Sequence, residues 1–133
     1  MTKSSVLLAD DNPAILEHVS KMLTDQFEVV GAVPDGETVL RDYVGLHPDV
    51  IVLDISMGRL SGIEVARRLR AGGCDSRIVF LTVHEGQDFV SAALDAGGSA
   101  YVVKSRLMDD LKQAITSALA GKVFVSASLN AEL

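Results

Sequence analysis

The chain has 133 residues, 48% hydrophobic and 5% aromatic, and its 18 acidic and 12 basic residues give a net charge of −6. This length fits one domain with an aliphatic core. The negative charge argues against direct binding to nucleic acid or an anionic membrane, because both repel it. Cys74 is the single cysteine, so no internal disulfide can form and we expect a cytoplasmic protein.

Short apolar runs alternate with stretches of helical period, which predicts strand–helix units on a parallel sheet. The first run, residues 6–9, is too short for a signal peptide or a membrane span. It is continuously apolar, like residues 50–53, 78–83 and 100–103, as expected of strands covered on both faces. Residues 27–33 are interrupted by Glu28 and Gly31, which is typical of an edge strand.

The first two helices have clear boundary signals. Pro13 suits the first turn of helix one, and Asp35 is placed to cap helix two. Helix two must end by His47, because Pro48 disfavours helical geometry before it. The apolar faces comprise Ile15, Val19, Met22 and Leu23 in helix one, and Val39, Leu40, Tyr43 and Val44 in helix two.

Three more helices follow. Ser61 and Glu64 form a capping box for helix three, and helix four, about residues 86–96, has a weak apolar face typical of a mobile or partner-facing helix. Ser105 is predicted to cap helix five, which Gly121 closes. The domain is therefore predicted to span residues 1–121, and residues 122–133 are interpreted as the start of a linker or a C-terminal tail. The buried faces comprise Ile63, Ala66 and Leu69 in helix three, and Leu107, Leu111, Ala114, Ile115 and Ala118 in helix five.

Charged and polar residues stand where the predicted strands end. Strand one is followed by Asp10 and Asp11, and strand three ends in Asp54. Strand four ends in Thr82, and strand five is followed by Lys104. Ligands of open α/β sheets bind at the carboxyl ends of the strands. These five side chains are therefore expected to converge on one edge of the sheet.

Three adjacent carboxylates repel one another unless they are protonated or bind a hard cation. Mg²⁺ suits such oxygen ligands, with Mn²⁺ as the alternative, and one carboxylate remains free to act as a nucleophile. Phosphoryl transfer requires mainly positioning and charge neutralisation. The Lys104 ammonium and the Thr82 hydroxyl could supply both, so the pattern favours a phosphoryl site.

Each of these residues also has an ordinary structural explanation. Asp11 or Asn12 can cap helix one, Lys104 can be a solvated charge, and Thr82 suits a strand by its β-branched side chain. Taken singly, Lys104 and Thr82 are better explained this way. Their coincidence with three aspartates at one predicted edge favours the functional interpretation.

The chain resembles the receiver domain of two-component response regulators over nearly its whole length. The matching motifs are the pair Asp10 and Asp11, the segment DISMGRLSG at residues 54–62, LT at 81–82 and YVVK at 101–104. The resemblance implies a flavodoxin-like, doubly wound sheet of five parallel strands in the order 2-1-3-4-5, with helices on both faces.

The resemblance also implies residue roles. Asp54 would accept the phosphoryl group from a sensor histidine kinase, and Lys104 would bind the phosphoryl oxygens. Thr82 would move toward the phosphoryl group and Tyr101 would swing inward, remodelling the surface of helix four, strand five and helix five. That surface is the family's usual site of dimerisation or partner binding, so a phosphorylation-dependent homodimer is expected. Mg²⁺ would be held by Asp10, Asp11, Asp54 and the backbone carbonyl of Ser56.

Several residues keep two interpretations. Tyr101 is either a switch residue or an ordinary strand tyrosine with its hydroxyl at the surface. His84, with Met57, either lines the mouth of the pocket and tunes loss of the phosphoryl group or is a solvated loop residue. Gly58 stands where the family commonly has proline, so the loop after Asp54 is expected to be more flexible.

Residues 104–107 (KSRL) and 120–126 (AGKVFVS) resemble the LuxR-type transcriptional regulators, in which a helix-turn-helix domain follows the receiver. The expected output is transcription through a DNA-binding domain absent from this chain. The chain is either a receiver cut from a longer regulator, which we favour, or a stand-alone receiver acting by protein contacts or phosphate relay.

The expected protein is a signalling switch that catalyses only its own phosphorylation and dephosphorylation. A phosphohydrolase that forms an aspartyl-phosphate would be expected to carry a further acid beside the nucleophile, but Ile55 and Ser56 follow Asp54. A receiver-like module that is never phosphorylated would be expected to lack one of the acidic or basic site residues, and all are present.

Overall fold

A computed structural model describes residues 3–126. The strands are β1 (Ser5–Ala9), β2 (Glu28–Val33), β3 (Val50–Asp54), β4 (Arg77–Thr82), β5 (Ala100–Val103) and β6 (Phe124–Val125). The helices are α1 (Pro13–Leu23), α2 (Gly36–Leu46), α3 (Gly62–Ala71), α4 (Gln87–Asp95) and α5 (Leu107–Leu119). A single 3₁₀ turn, Lys104–Arg106, separates β5 from α5.

The strands form one parallel sheet in the order β2-β1-β3-β4-β5-β6. The predicted order 2-1-3-4-5 is confirmed, and β2 is an edge strand as expected. A short sixth strand, which the sequence pattern did not predict, is added beside β5, where Phe124 pairs with Ala100 and Val125 with Tyr101. This strand lies in the segment interpreted as a linker or tail. It could not be predicted, because two apolar residues are too few to show a period.

The register of the sheet brings the strand ends together. Ala9 pairs with Leu53, so that Asp10 follows β1 beside the last residue of β3, Asp54. On the other side Asp54 pairs with Leu81, and Thr82 pairs with Val103. The residues that end or directly follow these strands therefore meet at one edge of the sheet, which we call the carboxyl edge.

The sheet is covered on both faces, as predicted. One buried cluster joins alternate strand residues such as Leu7, Ile51 and Phe80 to helices α2, α3 and α4. The other joins residues such as Val6 and Leu8 to α1 and α5. Burying a large aliphatic side chain contributes about 1.5–3 kcal/mol, so the two clusters hold the strand ends in place.

Most predicted helix boundaries are confirmed. Asp35 accepts a hydrogen bond from Thr38 N at 2.8 Å, and α2 ends before His47, whose φ of 45° is left-handed. Asn12, the second of the two capping candidates, accepts from Ala14 N at 2.9 Å. Ser61 accepts from Glu64 N, although the Glu64 carboxylate pairs with arginines one turn later.

The predicted Ser105 cap of α5 is wrong. Residues 104–106 form the 3₁₀ turn, so α5 begins at Leu107 with Arg106 at its N-cap position and no side-chain cap. Arg106 instead pairs with the buried Asp110 at 2.9 Å.

Within residues 3–126, every helix is too short or too polar to cross a lipid bilayer.

Candidate functional site

The three predicted aspartates meet at the carboxyl edge. Asp10 and Asp54 are 2% and 3% exposed, whereas Asp11 is exposed. One carboxylate oxygen from each lies within 4.8 Å of the other two. Because two of the carboxylates are buried, their mutual repulsion is poorly screened by water. The three carboxylates therefore repel one another strongly unless a positive charge lies close to them.

Lys104 supplies part of that charge. Its Nζ lies 2.8 Å from Asp10 Oδ2 and 3.2 Å from Asp54 Oδ2, with the side chain 18% exposed. One ammonium is thus shared by two of the three carboxylates. Although Asp10 Oδ2 is ion-paired, it is buried and accepts no hydrogen bond of good geometry from residues 3–126. A buried oxygen in this state is suited to a further cationic ligand.

The ionisation of the site follows from burial and charge. Burial and the neighbouring Asp10 charge raise the pKa of Asp54, while Lys104 and the Ser56 amide oppose the shift. Burial lowers the pKa of Lys104, but its close contacts with the Asp10 and Asp54 carboxylates outweigh this and raise it. Lys104 therefore stays positively charged. Ionisation of Asp54 is less favourable in the folded protein than in the unfolded chain.

Backbone amides orient the two buried carboxylates. Asn12 N donates to Asp10 Oδ1 at 2.9 Å, and Ser56 N donates to Asp54 Oδ1 at 3.1 Å. Gly62 closes the motif at residues 54–62, but the sequence assigned it no role of its own. In the structure a Cβ at this position would overlap the Asp54 carbonyl oxygen. Gly62 therefore lets α3 begin directly against the end of β3.

Gly58 has a conformational reason for its place in the loop after Asp54. Its φ is +65°, in the left-handed region that favours glycine. Proline, which fixes φ near −65°, cannot adopt this conformation. The loop therefore follows a path that the proline commonly found in the family would not permit.

His84 joins the two loops beside the acidic cluster. Its Nε2 lies 2.8 Å from Ser56 Oγ, and its ring stacks on Phe89 with centroids 4.1 Å apart. Its backbone N–H donates to Thr82 Oγ1 at 3.1 Å. Of the two interpretations of His84, the structure places it at the mouth of the pocket. It helps to line a cleft of about 420 Å³ whose lining also includes Asp11, Ser56, Met57, Gly58 and Phe89.

Tyr101 points into the protein. The residue is 0% exposed, and its hydroxyl donates to the backbone carbonyl of His84 at 2.8 Å. Burial raises its pKa to about 12, against a smaller opposing effect of Thr82. The alternative of a hydroxyl at the surface is therefore wrong. Tyr101 connects the centre of β5 to the segment that follows Thr82.

The family model for the response regulator receiver domain matches residues 6–116. The chain belongs to this family. The receiver family consists of signalling proteins rather than classical enzymes, and its members bind Mg²⁺ through an acidic pocket. The cluster of Asp10, Asp11 and Asp54 is a group of carboxylates that could hold a metal ion.

The curated relatives include nitrate/nitrite response regulators and the response regulator GacA. A nitrate/nitrite response regulator homologue of Haemophilus influenzae is 36% identical, with 96% of this chain and 62% of the relative covered. The response regulator GacA of Pseudomonas viridiflava is 32% identical, with 96% and 61% covered. This receiver chain therefore spans about three-fifths of the length of these relatives.

Solved structures agree with the fold. A LuxR-family two-component response regulator from Aurantimonas is 32% identical, has a TM-score of 0.93, and is matched over 98% of this chain and 95% of its own. The isolated receiver domain of RcsB from Salmonella enterica, in the presence of phosphomimetic BeF₃⁻, is 26% identical with a TM-score of 0.89, covering 99% of both chains.

Proposed function

We propose that this receiver accepts a phosphoryl group on Asp54 from a sensor histidine kinase and uses it as a switch. The observation that carries the proposal is the cluster of three carboxylates within 4.8 Å, two of them buried and bridged by Lys104. Such a cluster is destabilising by itself. A site that binds a cation and a phosphoryl group explains why the fold brings these carboxylates together.

The residues present fit a hard divalent cation. All candidate side-chain ligands are carboxylate oxygens, and Asp10 Oδ2 still lacks a hydrogen bond of good geometry from residues 3–126. Asp10, Asp11, Asp54 and the backbone carbonyl of Ser56 would hold Mg²⁺, with Mn²⁺ as the alternative. When bound, the cation neutralises carboxylate charge and orients phosphoryl oxygens.

The transfer itself needs little from the protein beyond position. An Asp54 carboxylate oxygen forms the new bond to phosphorus, and the bond from phosphorus to the donor imidazole nitrogen breaks, leaving its electron pair on that nitrogen. The Lys104 ammonium stabilises the phosphoryl oxygens, and the Thr82 hydroxyl can donate to one of them. Water later attacks the phosphorus, releasing phosphate and restoring Asp54.

The output follows from contacts of Thr82 and Tyr101. A phosphoryl group adds about two negative charges and three acceptor oxygens. Reorienting the Thr82 hydroxyl toward them disturbs its bond with His84 N, and the His84 carbonyl holds the Tyr101 hydroxyl. Phosphorylation is therefore expected to change the surface of α4, β5 and α5 and to favour a homodimer in the cytoplasm. Control of transcription would require a DNA-binding domain outside this chain; one similar structure is described as two RcsB dimers bound to two parallel DNAs.

The proposal is tested by incubating the protein with Mg²⁺ and a small acyl phosphate and measuring its intact mass. One phosphoryl group should be added to the wild type and to the control Asp49→Asn. None should be added to Asp54→Asn or after chelation of the metal. An unlabelled wild type or equally labelled Asp54→Asn contradicts the proposal, and phosphate release over many turnovers would indicate a phosphohydrolase instead.

A further inference from the structure

The unpredicted strand β6 is followed directly by a buried polar residue, Ser126, which is 0% exposed. Its backbone N–H donates to the carbonyl of Tyr101 at 3.0 Å. Its hydroxyl oxygen accepts from the backbone N–H of Val103 at 3.1 Å. In a regular parallel ladder the Ser126 carbonyl would accept this second bond. Because the hydroxyl accepts it instead, the side chain of Ser126 completes the edge of the sheet.

Ser126 thereby contacts the backbone of the two residues of β5 that matter most for the phosphoryl site. Val103 immediately precedes Lys104, whose Nζ pairs with Asp10 and Asp54. Tyr101 is bonded to Ser126 through its carbonyl and to the His84 segment through its hydroxyl. Since β6 runs parallel to β5, Ser126 lies toward the carboxyl edge, the same edge as the acidic cluster.

We propose that strand β6, held by Ser126, is a second output of the phosphoryl site, in addition to the surface of α4, β5 and α5. This inference rests on the proposed phosphorylation of Asp54. It assigns to Ser126 the role of coupling the end of β5 to the part of the chain that continues from β6.

The coupling has a direct physical route. Lys104 now shares its ammonium between two carboxylates, and a phosphoryl group offers it several strong, charge-assisted hydrogen bonds. Fixing the Lys104 side chain restricts the backbone of its neighbour Val103, and so favours the bond from Val103 N–H to Ser126. By linkage, a stronger β6 contact in the loaded state must raise the affinity of the site for the phosphoryl group equally.

The test uses residue-resolved amide hydrogen exchange on the chain with Mg²⁺ alone and with Mg²⁺ plus beryllofluoride, a phosphoryl mimic. Exchange at Val103 and Ser126 should slow by about fivefold or more when the mimic binds, a coupling of the usual allosteric size. Ser126→Ala should abolish the effect at Val103 and weaken binding of the mimic by a similar factor. Ser126→Thr, which retains the hydroxyl, and Ser105→Ala, which changes an exposed serine of the 3₁₀ turn, should behave like the wild type.

Two failures of this experiment are distinguishable. If the mimic does not bind and the Ser56 amide is unaffected, the proposed phosphoryl site is itself contradicted. If the Ser56 amide responds while Val103 and Ser126 exchange as before, the site stands and the coupling through β6 is wrong. Wild-type affinity of Ser126→Ala for the mimic would also overturn it, because linkage requires a change.

Discussion

The two edges of the parallel sheet differ in how their charges are satisfied. At the amino edge a cleft of about 540 Å³ includes Asp49, whose carboxylate accepts hydrogen bonds from Ser5 N at 2.8 Å and Ser5 Oγ at 3.2 Å. At the carboxyl edge the cleft is smaller, about 420 Å³, but its lining includes Asp11, which belongs to the cluster with Asp10 and Asp54, two buried carboxylates that share one lysine. Unbalanced buried charge therefore locates the site better than cavity size does.

The largest expected effect comes from removing the lysine of the carboxyl edge. Lys104→Ala leaves buried carboxylates without their partner, which should lower the free energy of unfolding by about 3 kcal/mol in the absence of metal. Lys112→Ala breaks an ion pair with the exposed Asp25 and should cost less than about 1 kcal/mol. Urea denaturation of both variants measures this contrast. Equal losses of unfolding free energy in the two variants would mean that Lys104 does not compensate an unfavourable repulsion between the carboxylates of the carboxyl edge.

A smaller loss is expected for Tyr101→Phe. The His84 carbonyl loses its hydrogen bond, which should cost about 1–2 kcal/mol. Tyr43→Phe is the matched control at the amino edge, because the Tyr43 hydroxyl makes no hydrogen bond within residues 3–126 and should change stability little. Thermal unfolding of the two variants gives the comparison. A Tyr101→Phe protein as stable as wild type would show that this bond does not hold Tyr101 inward.

The free energy of unfolding should change in opposite directions when a carboxylate charge is removed from the carboxyl edge and from the amino edge. Because the pKa of Asp54 is raised in the folded protein, its ionisation disfavours folding. Without metal, Asp54→Asn should therefore raise the free energy of unfolding at pH 7, by about 1 kcal/mol after loss of the lysine contact. Asp49→Asn weakens satisfied hydrogen bonds and should lower it.

The gain from Asp54→Asn should depend on pH. It should be complete at pH values well above the folded pKa of Asp54. It should disappear as the pH falls below 3.8, the ordinary value for the unfolded chain, where Asp54 is protonated in both states. Urea denaturation from pH 7 to pH 3.5 measures the difference between variant and wild type. A constant difference over this range would contradict the assignment of the strain to the Asp54 charge.

The smallest effect is expected at the mouth of the cleft. Ser56→Ala removes the contact with His84 Nε2, but Ser56 is exposed, so stability should fall by only about 0.5 kcal/mol. The sharper measurement is the lifetime of the phosphorylated protein, because the contact ties together the loops after β3 and β4. Ser105→Ala is the control. An unchanged lifetime would show that the contact between Ser56 and His84 has no role in loss of the phosphoryl group.

The sequence was sufficient for the parts of the site that depend on strand ends. Asp10, Asp54, Thr82 and Lys104 could be placed together because buried parallel strands align their carboxyl ends. The contact between His84 and Ser56 could not be predicted, because it depends on the paths of two loops. The inward orientation of Tyr101 was left open for a related reason, since alternation along β5 does not say which residue the hydroxyl meets.

The errors at the C-terminal end of the fold have local causes. The prediction of Ser105 as a cap assumed that α5 follows β5 directly, whereas a 3₁₀ turn intervenes. Strand β6 has only two residues, and beside it the Ser126 hydroxyl accepts a hydrogen bond from Val103 N in place of a backbone carbonyl. Neither feature leaves a periodic signal in the sequence.

The most direct measurement of the central claim is the position of the phosphoryl group in the chain. After reaction with a small acyl phosphate and Mg²⁺, reduction with borohydride converts a phosphorylated aspartate to homoserine, which peptide mass spectrometry can locate. We predict homoserine at position 54 and unmodified aspartate at positions 10 and 11. Homoserine at position 10 or 11, or a phosphoryl group that survives reduction on a hydroxyl side chain, would contradict the account.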